Sequence, residues 1–198
     1  MLPTLSAERV TLRMLRDDDV PALFEIFGDA DAMRYWSWPA FTDIEQARRL
    51  LQDIRAYAAA GTLFQWGIAR NDDDAVIGTA TLYQIDKAHR RGEIGFALAR
   101  RAWGRGHATE AVTRLIRHAF EDLDLHRLEA DPDPQNAASI RVLERQGFRY
   151  EGLLRERYFL NGVAMDAAWY GLLRREWRGG SARNTAGTGT LSGAHGQT

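Results

Sequence analysis

The chain contains no cysteine among its 198 residues, and its formal net charge is only −1. The lack of thiols excludes disulfides, cysteine-based metal sites and an acyl-cysteine intermediate. A net charge this small gives no overall field that would attract nucleic acid or a membrane surface. Long apolar runs are also missing, since none approaches the ~20 residues that a bilayer-spanning helix needs. The first residues, Met1–Ser6, lack the basic segment and apolar run of a signal peptide. These absences predict a cytoplasmic protein that binds neither nucleic acid nor membrane.

The length suits one domain with a sizeable core, and the sequence has no internal repeat. From about Gly179 the composition shifts to Gly, Ser, Thr, Ala and Asn, which offer almost nothing to bury. We therefore predict a single domain over residues 1–178 and a flexible tail over residues 179–198.

Hydrophobic periodicity predicts strands and helices in mixed order. Strands are predicted over residues 9–15, 64–70, 75–83, 93–98, 126–130, 148–159 and 167–173. Helices are predicted over residues 17–27, from a capping box at Thr42–Glu45 to residue 60, and over residues 106–123 and 136–146. Residues 29–41 are predicted to form an aromatic loop, and the last two strands a hairpin around Asn161-Gly162.

The most informative stretch is Arg101-Ala-Trp-Gly104-Arg-Gly106-His-Ala, which has the pattern R-x-x-G-x-G. It lies between a predicted strand and a long amphipathic helix. The first amides of a helix lack internal partners, and the helix dipole adds positive potential, so such a loop binds phosphate. Glycine lets the backbone curl tightly, and a side chain at Gly106 is expected to fill the space of the ligand. The stretch predicts a site for a pyrophosphate-bearing cofactor; the alternative is a glycine-rich turn without a ligand.

Several motifs together resemble a known family. Arg101–Ala108, Asn136-Ala-Ala-Ser139 and Leu143-Glu-Arg-Gln-Gly147-Phe148 are similar to the GNAT superfamily of acetyl-CoA-dependent N-acetyltransferases. Glu8–Arg13, Met33–Trp38 and Tyr158–Asp166 resemble the ribosomal-protein alanine/serine N-acetyltransferase branch, of the RimJ/RimL type. The resemblance extends over roughly residues 5–177.

The resemblance implies an α/β (α+β) fold. It has a mixed, mostly antiparallel twisted sheet with helices on both faces and a central, splayed parallel pair of strands, residues 93–98 and 126–130. The splay exposes backbone groups to which the pantetheine arm can add like another strand. The acetyl-CoA-binding residues implied are Phe96, Ala97, Leu98, Arg101, Trp103, Gly104, Arg105, Gly106, His107, Ala108, Asn136 and Ser139. For Asn136 the alternative is a plain N-cap of its helix.

Acetyl transfer to a protonated amine requires a base, and Glu93 is our first choice. Along its strand Glu93 shares a face with the small residues Gly95 and Ala97, which leave room for a substrate. The alternatives are that Glu93 is solvated near the turn, or paired with Arg90 or Arg91. His89 is a second candidate, although a histidine in a turn is more often simply exposed.

The sequence departs from the family at Leu143, where many members have a tyrosine that serves as general acid. The branch resemblance places Ser139 nearby as a catalytic candidate; the alternative is a first-turn hydroxyl that bonds to its own helix. Because a thiolate leaves readily, with thiol pKa values near ~8.5, the missing tyrosine is expected to cost little.

Four further residues are candidates for the acceptor site: Trp36, Trp38, Tyr158 and Asp166. The alternative is a structural role for each, as in any aromatic lid packed on a core. His107, His118 and His126 form no metal-ligand pattern, so no metal is predicted.

The expected acceptor is a primary amine, most simply a protein N-terminal α-amine of the ribosomal-protein type. A small-molecule amine and a non-catalytic acyl-CoA-binding role remain as alternatives. A dinucleotide-dependent oxidoreductase is disfavoured, because the glycine loop lacks the third Gly/Ala and follows antiparallel strands. The sequence is compatible with a monomer or a homodimer.

Overall fold

A computed structural model describes residues 2–179 and contains one eight-stranded sheet, in the strand order β1-β2-β3-β4-β5-β6-β8-β7. The strands are β1 (Leu5–Ser6), β2 (Val10–Arg13), β3 (Leu63–Arg70), β4 (Val76–Asp86), β5 (Arg91–Leu98), β6 (Arg127–Ala130), β7 (Arg149–Leu160) and β8 (Val163–Leu173). All neighbouring strands are antiparallel except β5 and β6, which are parallel. The expected mixed, mostly antiparallel sheet is confirmed.

Five α-helices are found among the described residues: α1 (Val20–Gly28), α2 (Ala30–Met33), α3 (Ile44–Ala60), α4 (His107–Arg117) and α5 (Ala137–Gln146). Along β5 the side chains alternate, so that Ala97 packs in a core cluster with Phe27 of α1 and Leu51 of α3. Ile94 joins the opposite cluster, which contains Leu115 of α4 and residues of α5. Helices therefore cover both faces of the sheet, as predicted.

The parallel pair separates after three residues. The register joins Arg91 to Arg127, Gly92 to Leu128 and Glu93 to Glu129, and then stops. Strand β5 continues to Leu98 without β6 beside it. The predicted splay is thus confirmed, and it leaves backbone groups of residues 94–98 without a strand partner on that side.

The predicted helix over residues 17–27 is wrong at its start. A 3₁₀ turn, Asp17–Asp19, precedes α1. The reason is tertiary: the Asp19 carboxylate turns into the protein, where its Oδ2 lies 2.8 Å from Nη1 of Arg13, and both residues are buried. The loop predicted over residues 29–41 also contains the short helix α2, since Asp29 accepts hydrogen bonds from the amides of Asp31 (2.8 Å) and Ala32 (3.1 Å).

Two helix ends also differ from the prediction. The capping box of α3 is formed by Asp43 and Gln46 rather than by Thr42 and Glu45, because the Gln46 side chain reaches back to the Asp43 amide. Helix α4 ends at Arg117 and continues as a π-helical turn, His118–Asp122.

The final hairpin turns at Asn161-Gly162, as predicted. Both residues have positive φ, 49° and 81°, as a two-residue hairpin turn of this type requires. Within residues 2–179 no helix is long and apolar enough to cross a membrane. The predicted tail lies, from residue 180 onward, outside the described residues, and the domain boundary remains a prediction.

Candidate functional site

Two cavities open beside the splayed strands and share part of their walls. The first, which we call the loop cavity, has a volume of about 620 Å³ and is lined by the glycine loop and the first residues of α4. The second, which we call the aspartate cavity, has a volume of about 300 Å³ and is lined by Asp131, Asp133 and Asp166 among others. Five residues line both: Tyr35, Trp36, Phe96, Asn136 and Ser139. A ligand in one cavity would therefore touch a ligand in the other at the point where β5 leaves β6.

The glycine loop delivers free backbone donors to the loop cavity. Gly104 and Gly106 have positive φ, 71° and 79°, and α4 begins at His107 without a side-chain cap. The first helical hydrogen bond runs from the Glu110 amide to the Gly106 carbonyl. The amides of residues 107–109 therefore have no helical partner, and these three residues line the cavity. The geometry suits an anion at the helix N-terminus.

Arg9, on the turn between β1 and β2, forms hydrogen bonds to this loop and to the first turn of α4. Its Nη1 donates to the Arg105 carbonyl at 2.9 Å, and its Nε donates to Glu110 Oε2 at 2.8 Å. A Cβ on Gly106 would lie 3.1 Å from Nη2 of Arg9. A side chain there would therefore press on Arg9, and whether it would also fill the space of a ligand stays a prediction.

Most of the sequence-predicted cofactor residues line the loop cavity: Phe96, Ala97, Leu98, Trp103, Gly104, Gly106, His107, Ala108, Asn136 and Ser139. Arg101 and Arg105 are not among the lining residues. The Arg101 guanidinium instead pairs with Glu25 of α1, with Nε 2.6 Å from Oε1. His107 carries a buried Nδ1 without a hydrogen-bond partner among the described residues, and burial lowers its pKa.

Sequence reasoning missed four arginines that line this cavity: Arg34, Arg100, Arg141 and Arg145. Arg100 pairs with Asp31, which also lines the cavity. Arg141 and Arg145 belong to α5. Their spacing of four residues on a helix places them on one face, and this was the available signal. They add positive charge to a cavity that already offers helix amides.

Asn136 is the N-cap of α5, because its side chain accepts a hydrogen bond from the Ser139 amide at 3.1 Å. The capping interpretation is thus confirmed, while Asn136 also lines both cavities. The Ser139 hydroxyl has no hydrogen bond to the rest of the described chain. Leu143 is 1% exposed and contributes an apolar wall to the aspartate cavity.

Glu93 is a buried carboxylate, 7% exposed, that pairs in the strand register with the equally buried Glu129. Neither alternative for Glu93 is found. It is not solvated, and the neighbouring arginines pair elsewhere, Arg90 with Asp124 and Arg91 with Glu129. Burial raises the pKa of Glu93, and the negative charges of Asp131 and Glu129 raise it further.

The hydroxyls of two tyrosines contact the carboxylate of Asp131, the residue that directly follows β6. The Tyr158 hydroxyl donates to Oδ2 of Asp131, and the Tyr83 hydroxyl lies 3.4 Å from Oδ1. Burial raises the pKa of both phenols well above the ordinary range, so they stay protonated donors at neutral pH. The sequence had indicated Tyr158 but not Tyr83 or Asp131. For Asp131 the signal was its spacing of two residues from Glu129 at a strand end.

The aromatic loop forms the wall opposite these carboxylates. The rings of Trp36 and Trp38 are 4.6 Å apart, and Phe27 meets Trp36 edge-on at 5.6 Å. Both tryptophans line the aspartate cavity, and Trp36 also packs against the core, whereas Trp38 is 38% exposed. The structural role is therefore found for Trp36, and the role of both tryptophans in an acceptor site stays a prediction.

Two other candidates have evident structural partners. Asp166 accepts the Glu156 amide at 2.8 Å where β7 bulges, and it also lines the aspartate cavity. His89 is exposed, lies 2.8 Å from Asp86 and lines neither cavity. Among residues 2–179 no cluster of three or more acidic or histidine side chains has the arrangement of a metal site.

Comparison with known proteins agrees with these features. Residues 9–149 match the family model described as the acetyltransferase (GNAT) domain. The chain is 38% identical over 178 residues to the uncharacterized N-acetyltransferase p20 of Bacillus licheniformis, covering 90% of this chain and 100% of the relative. It is 32% identical to the putative ribosomal N-acetyltransferase YdaF of Bacillus subtilis, covering 87% and 95%.

A more distant relative acts on a small amine. The spermidine N(1)-acetyltransferase of Escherichia coli is 28% identical over 82% of this chain and 84% of its own. Among solved structures, Mycobacterium smegmatis RimJ in complex with CoA-disulfide is similar, with a TM-score of 0.77, 28% identity and 88% of each chain covered. These matches confirm the resemblance that the motifs indicated.

Proposed function

Because the chain belongs to the acetyltransferase (GNAT) family and is an acetyl-CoA-dependent acyltransferase, we propose that it acetylates a protein N-terminal α-amine by direct attack in a ternary complex. The observation that carries this proposal is the junction of the two cavities at Phe96, Asn136 and Ser139. A cofactor in one cavity and an acceptor in the other meet there.

The residues of the loop cavity fit acetyl-CoA. The uncapped amides of residues 107–109 and the orphaned Nδ1 of His107 offer partners for a pyrophosphate, and Arg141 and Arg145 offer positive charge. The unpaired edge of Phe96–Leu98 offers backbone groups to the pantetheine arm. Bound there, acetyl-CoA supplies the activated thioester acetyl group.

Proton removal falls to Glu93 in this proposal. Its raised pKa makes it a stronger base than an ordinary carboxylate near neutral pH. Tyr83 pairs with Glu93 in the strand register and lines the aspartate cavity, but its hydroxyl is directed at Asp131, so in this proposal the proton reaches Glu93 through water. The Ser139 hydroxyl lines both cavities, and in this proposal it donates to the leaving thiolate.

The acceptor assignment rests on the likeness to the ribosomal N-acetyltransferase YdaF and to RimJ. A small polyamine is the second candidate. The acidic lining of the aspartate cavity favours a cationic acceptor, and the spermidine acetyltransferase of Escherichia coli is a relative.

An acceptor screen tests the proposal. Release of the CoA thiol is measured with peptides that begin with Ala or Ser, with the same peptides carrying a blocked N-terminus, and with spermidine. We expect turnover of the free peptides and none of the blocked ones. Turnover of spermidine alone would overturn the protein acceptor in favour of the polyamine, and thiol release that no amine accelerates would indicate a non-catalytic acyl-CoA-binding protein.

A further inference from the structure

Asp131 occupies a particular position in the aspartate cavity. It follows the last residue of β6 and lies on the same face of the sheet as Glu129 and Glu93, directly beyond the point where β5 and β6 part. Unlike those two buried residues it is half-exposed, and it lines the cavity. Of the three carboxylates, it is the one presented to a molecule in that cavity.

Within residues 2–179 Asp131 forms no direct ion pair, although the Arg157 guanidinium lies over the ring of Tyr158, 5.8 Å from its centroid. Glu129 is paired twice, with Nη1 of Arg91 at 3.1 Å and Nε of Arg127 at 2.7 Å. Asp131 forms no ion pair with the described residues and is held only by the neutral hydroxyls of Tyr83 and Tyr158. A carboxylate that contacts only two neutral hydroxyls can still accept hydrogen bonds from a cationic partner, because its two oxygens offer about four acceptor sites.

We propose that Asp131 binds the ammonium form of the acceptor and selects acceptors that arrive as cations, an inference that rests on the acetyltransferase function proposed above. Aliphatic amines are mostly protonated at neutral pH, with pKa values near ~10.4 for a lysine side chain and ~8 for an α-amine. The ammonium N–H groups donate to Asp131, while the rings of Trp36 and Trp38 bound the same cavity. The amine then loses one proton toward Glu93 before it attacks, so that binding and deprotonation are performed by two different carboxylates.

The two tyrosines explain why Asp131 rather than Glu93 holds the cation. Their hydrogen bonds orient the Asp131 carboxylate toward the cavity, whereas Glu93 lies behind Tyr83 and is absent from the cavity lining. Asp133, two residues further on, also lines the cavity, but its Oδ1 already accepts the Gln135 amide at 2.7 Å. Asp133 therefore provides a matched comparison of equal charge.

The test compares Asp131→Asn with Asp133→Asn on two acceptors of similar size, an aliphatic amine that is protonated at the assay pH and a hydrazide that is neutral there. Both variants remove one negative charge from the same cavity, and each amide keeps the shape of the carboxylate. For Asp131→Asn we expect kcat/KM to fall about 10- to 100-fold with the cationic acceptor, mainly through KM, as for a lost hydrogen bond to a charged group. With the neutral acceptor we expect a change of less than about threefold, and Asp133→Asn should have a smaller effect on the cationic acceptor than Asp131→Asn.

Affinity for CoA, measured by calorimetry, reports whether the variants are folded. Tyr158→Phe provides a second variant, because it removes one of the two hydrogen bonds to Asp131 without removing its charge, and it should raise KM for the cationic acceptor alone. Equal losses with the two acceptors, equal losses in the two aspartate variants, or a fall in kcat without a rise in KM would each overturn the role of Asp131. If the peptides fail as acceptors while spermidine is acetylated, the proposed protein acceptor is wrong, and the same comparison is made with spermidine as the cationic acceptor.

Discussion

At the scale of single residues, two carboxylates on one face of the sheet have different surroundings. Glu93 is buried, and the like charges of Asp131 and Glu129 raise its pKa, which favours taking up a proton. Asp131 is half-exposed, and its two carboxylate oxygens accept hydrogen bonds from the hydroxyls of Tyr83 and Tyr158. These different surroundings are the reason why we propose one carboxylate as the base and the other as the anchor for the acceptor.

Replacing Glu93 tests the first of these roles. We expect Glu93→Gln to lower kcat by roughly 10²- to 10⁴-fold, the range typical of a lost general base, with little change in CoA affinity. Raising the pH should partly restore the rate, since more of the amine then arrives deprotonated. The measurement is turnover against pH for both proteins. Two parallel curves separated by less than about threefold would assign proton removal to another group.

At the scale of elements, the N-terminus of α4 depends on a residue nearly a hundred positions away. Arg9 bridges the Arg105 carbonyl and the Glu110 carboxylate, and thereby holds the loop whose amides line the loop cavity. The sequence analysis explained the tight curl of this loop by its glycines alone. The structure adds that their curled backbone is supported from outside the motif.

Removing that support should weaken the cofactor site. We expect Arg9→Gln to reduce CoA affinity by about tenfold, because a charged hydrogen bond that fixes the loop is lost. Arg48→Gln is the matched control, since Arg48 is an exposed arginine that pairs with Glu45 on α3, away from the loop. Calorimetry of CoA binding measures both variants. An unchanged affinity in Arg9→Gln would mean that the glycines alone maintain the loop.

At the scale of the whole molecule, the same burial that raises the pKa of Glu93 reduces the stability of the fold. A carboxyl whose pKa is higher in the folded than in the unfolded protein binds protons more tightly when folded. Folding stability therefore falls as the pH rises from the unfolded pKa through the folded one, and above that range the full cost is present. The contribution of Glu151 to folding stability has the opposite pH dependence. Because Arg127 lowers its pKa in the folded protein, this contribution is present at neutral pH and is lost in acid.

This sign difference gives a prediction about thermal stability. We expect Glu93→Gln to raise the melting temperature at pH 8, with a gain over wild type that shrinks toward pH 4, where the folded wild type is protonated. Glu151→Gln should lower the melting temperature at pH 8, with a loss that likewise shrinks in acid. Calorimetric scans across this pH range measure both. A melting temperature of Glu93→Gln at or below that of wild type at pH 8 would contradict the cost assigned to the buried charge.

The sequence by itself determined the elements and the family of this protein. The alternation of apolar and polar residues in strands and the 3.6-residue periodicity of helices depend on residues close together in the sequence. The same holds for the hairpin turn at Asn161-Gly162 and for the glycine loop before α4. Their physical causes are local, and they were read correctly. Predictions failed at the ends of elements, where one polar side chain selects among several neighbouring partners: Asp19 pairs with Arg13 of β2, Asp29 caps the unpredicted helix α2, and Gln46 bonds to the Asp43 amide.

Only the tertiary structure determined which side chains lie close together in the candidate site. Tyr83, Glu93, Asp131 and Tyr158 come from β4, β5, the end of β6 and β7. They meet because of strand register, and that register is interrupted by irregularities between Tyr83 and Asp86 and between Leu154 and Tyr158. A shift of one residue would turn each side chain to the other face of the sheet, so no local pattern specifies this meeting. The packing of the whole sheet specifies it, and with it the pocket where the acceptor is proposed to bind.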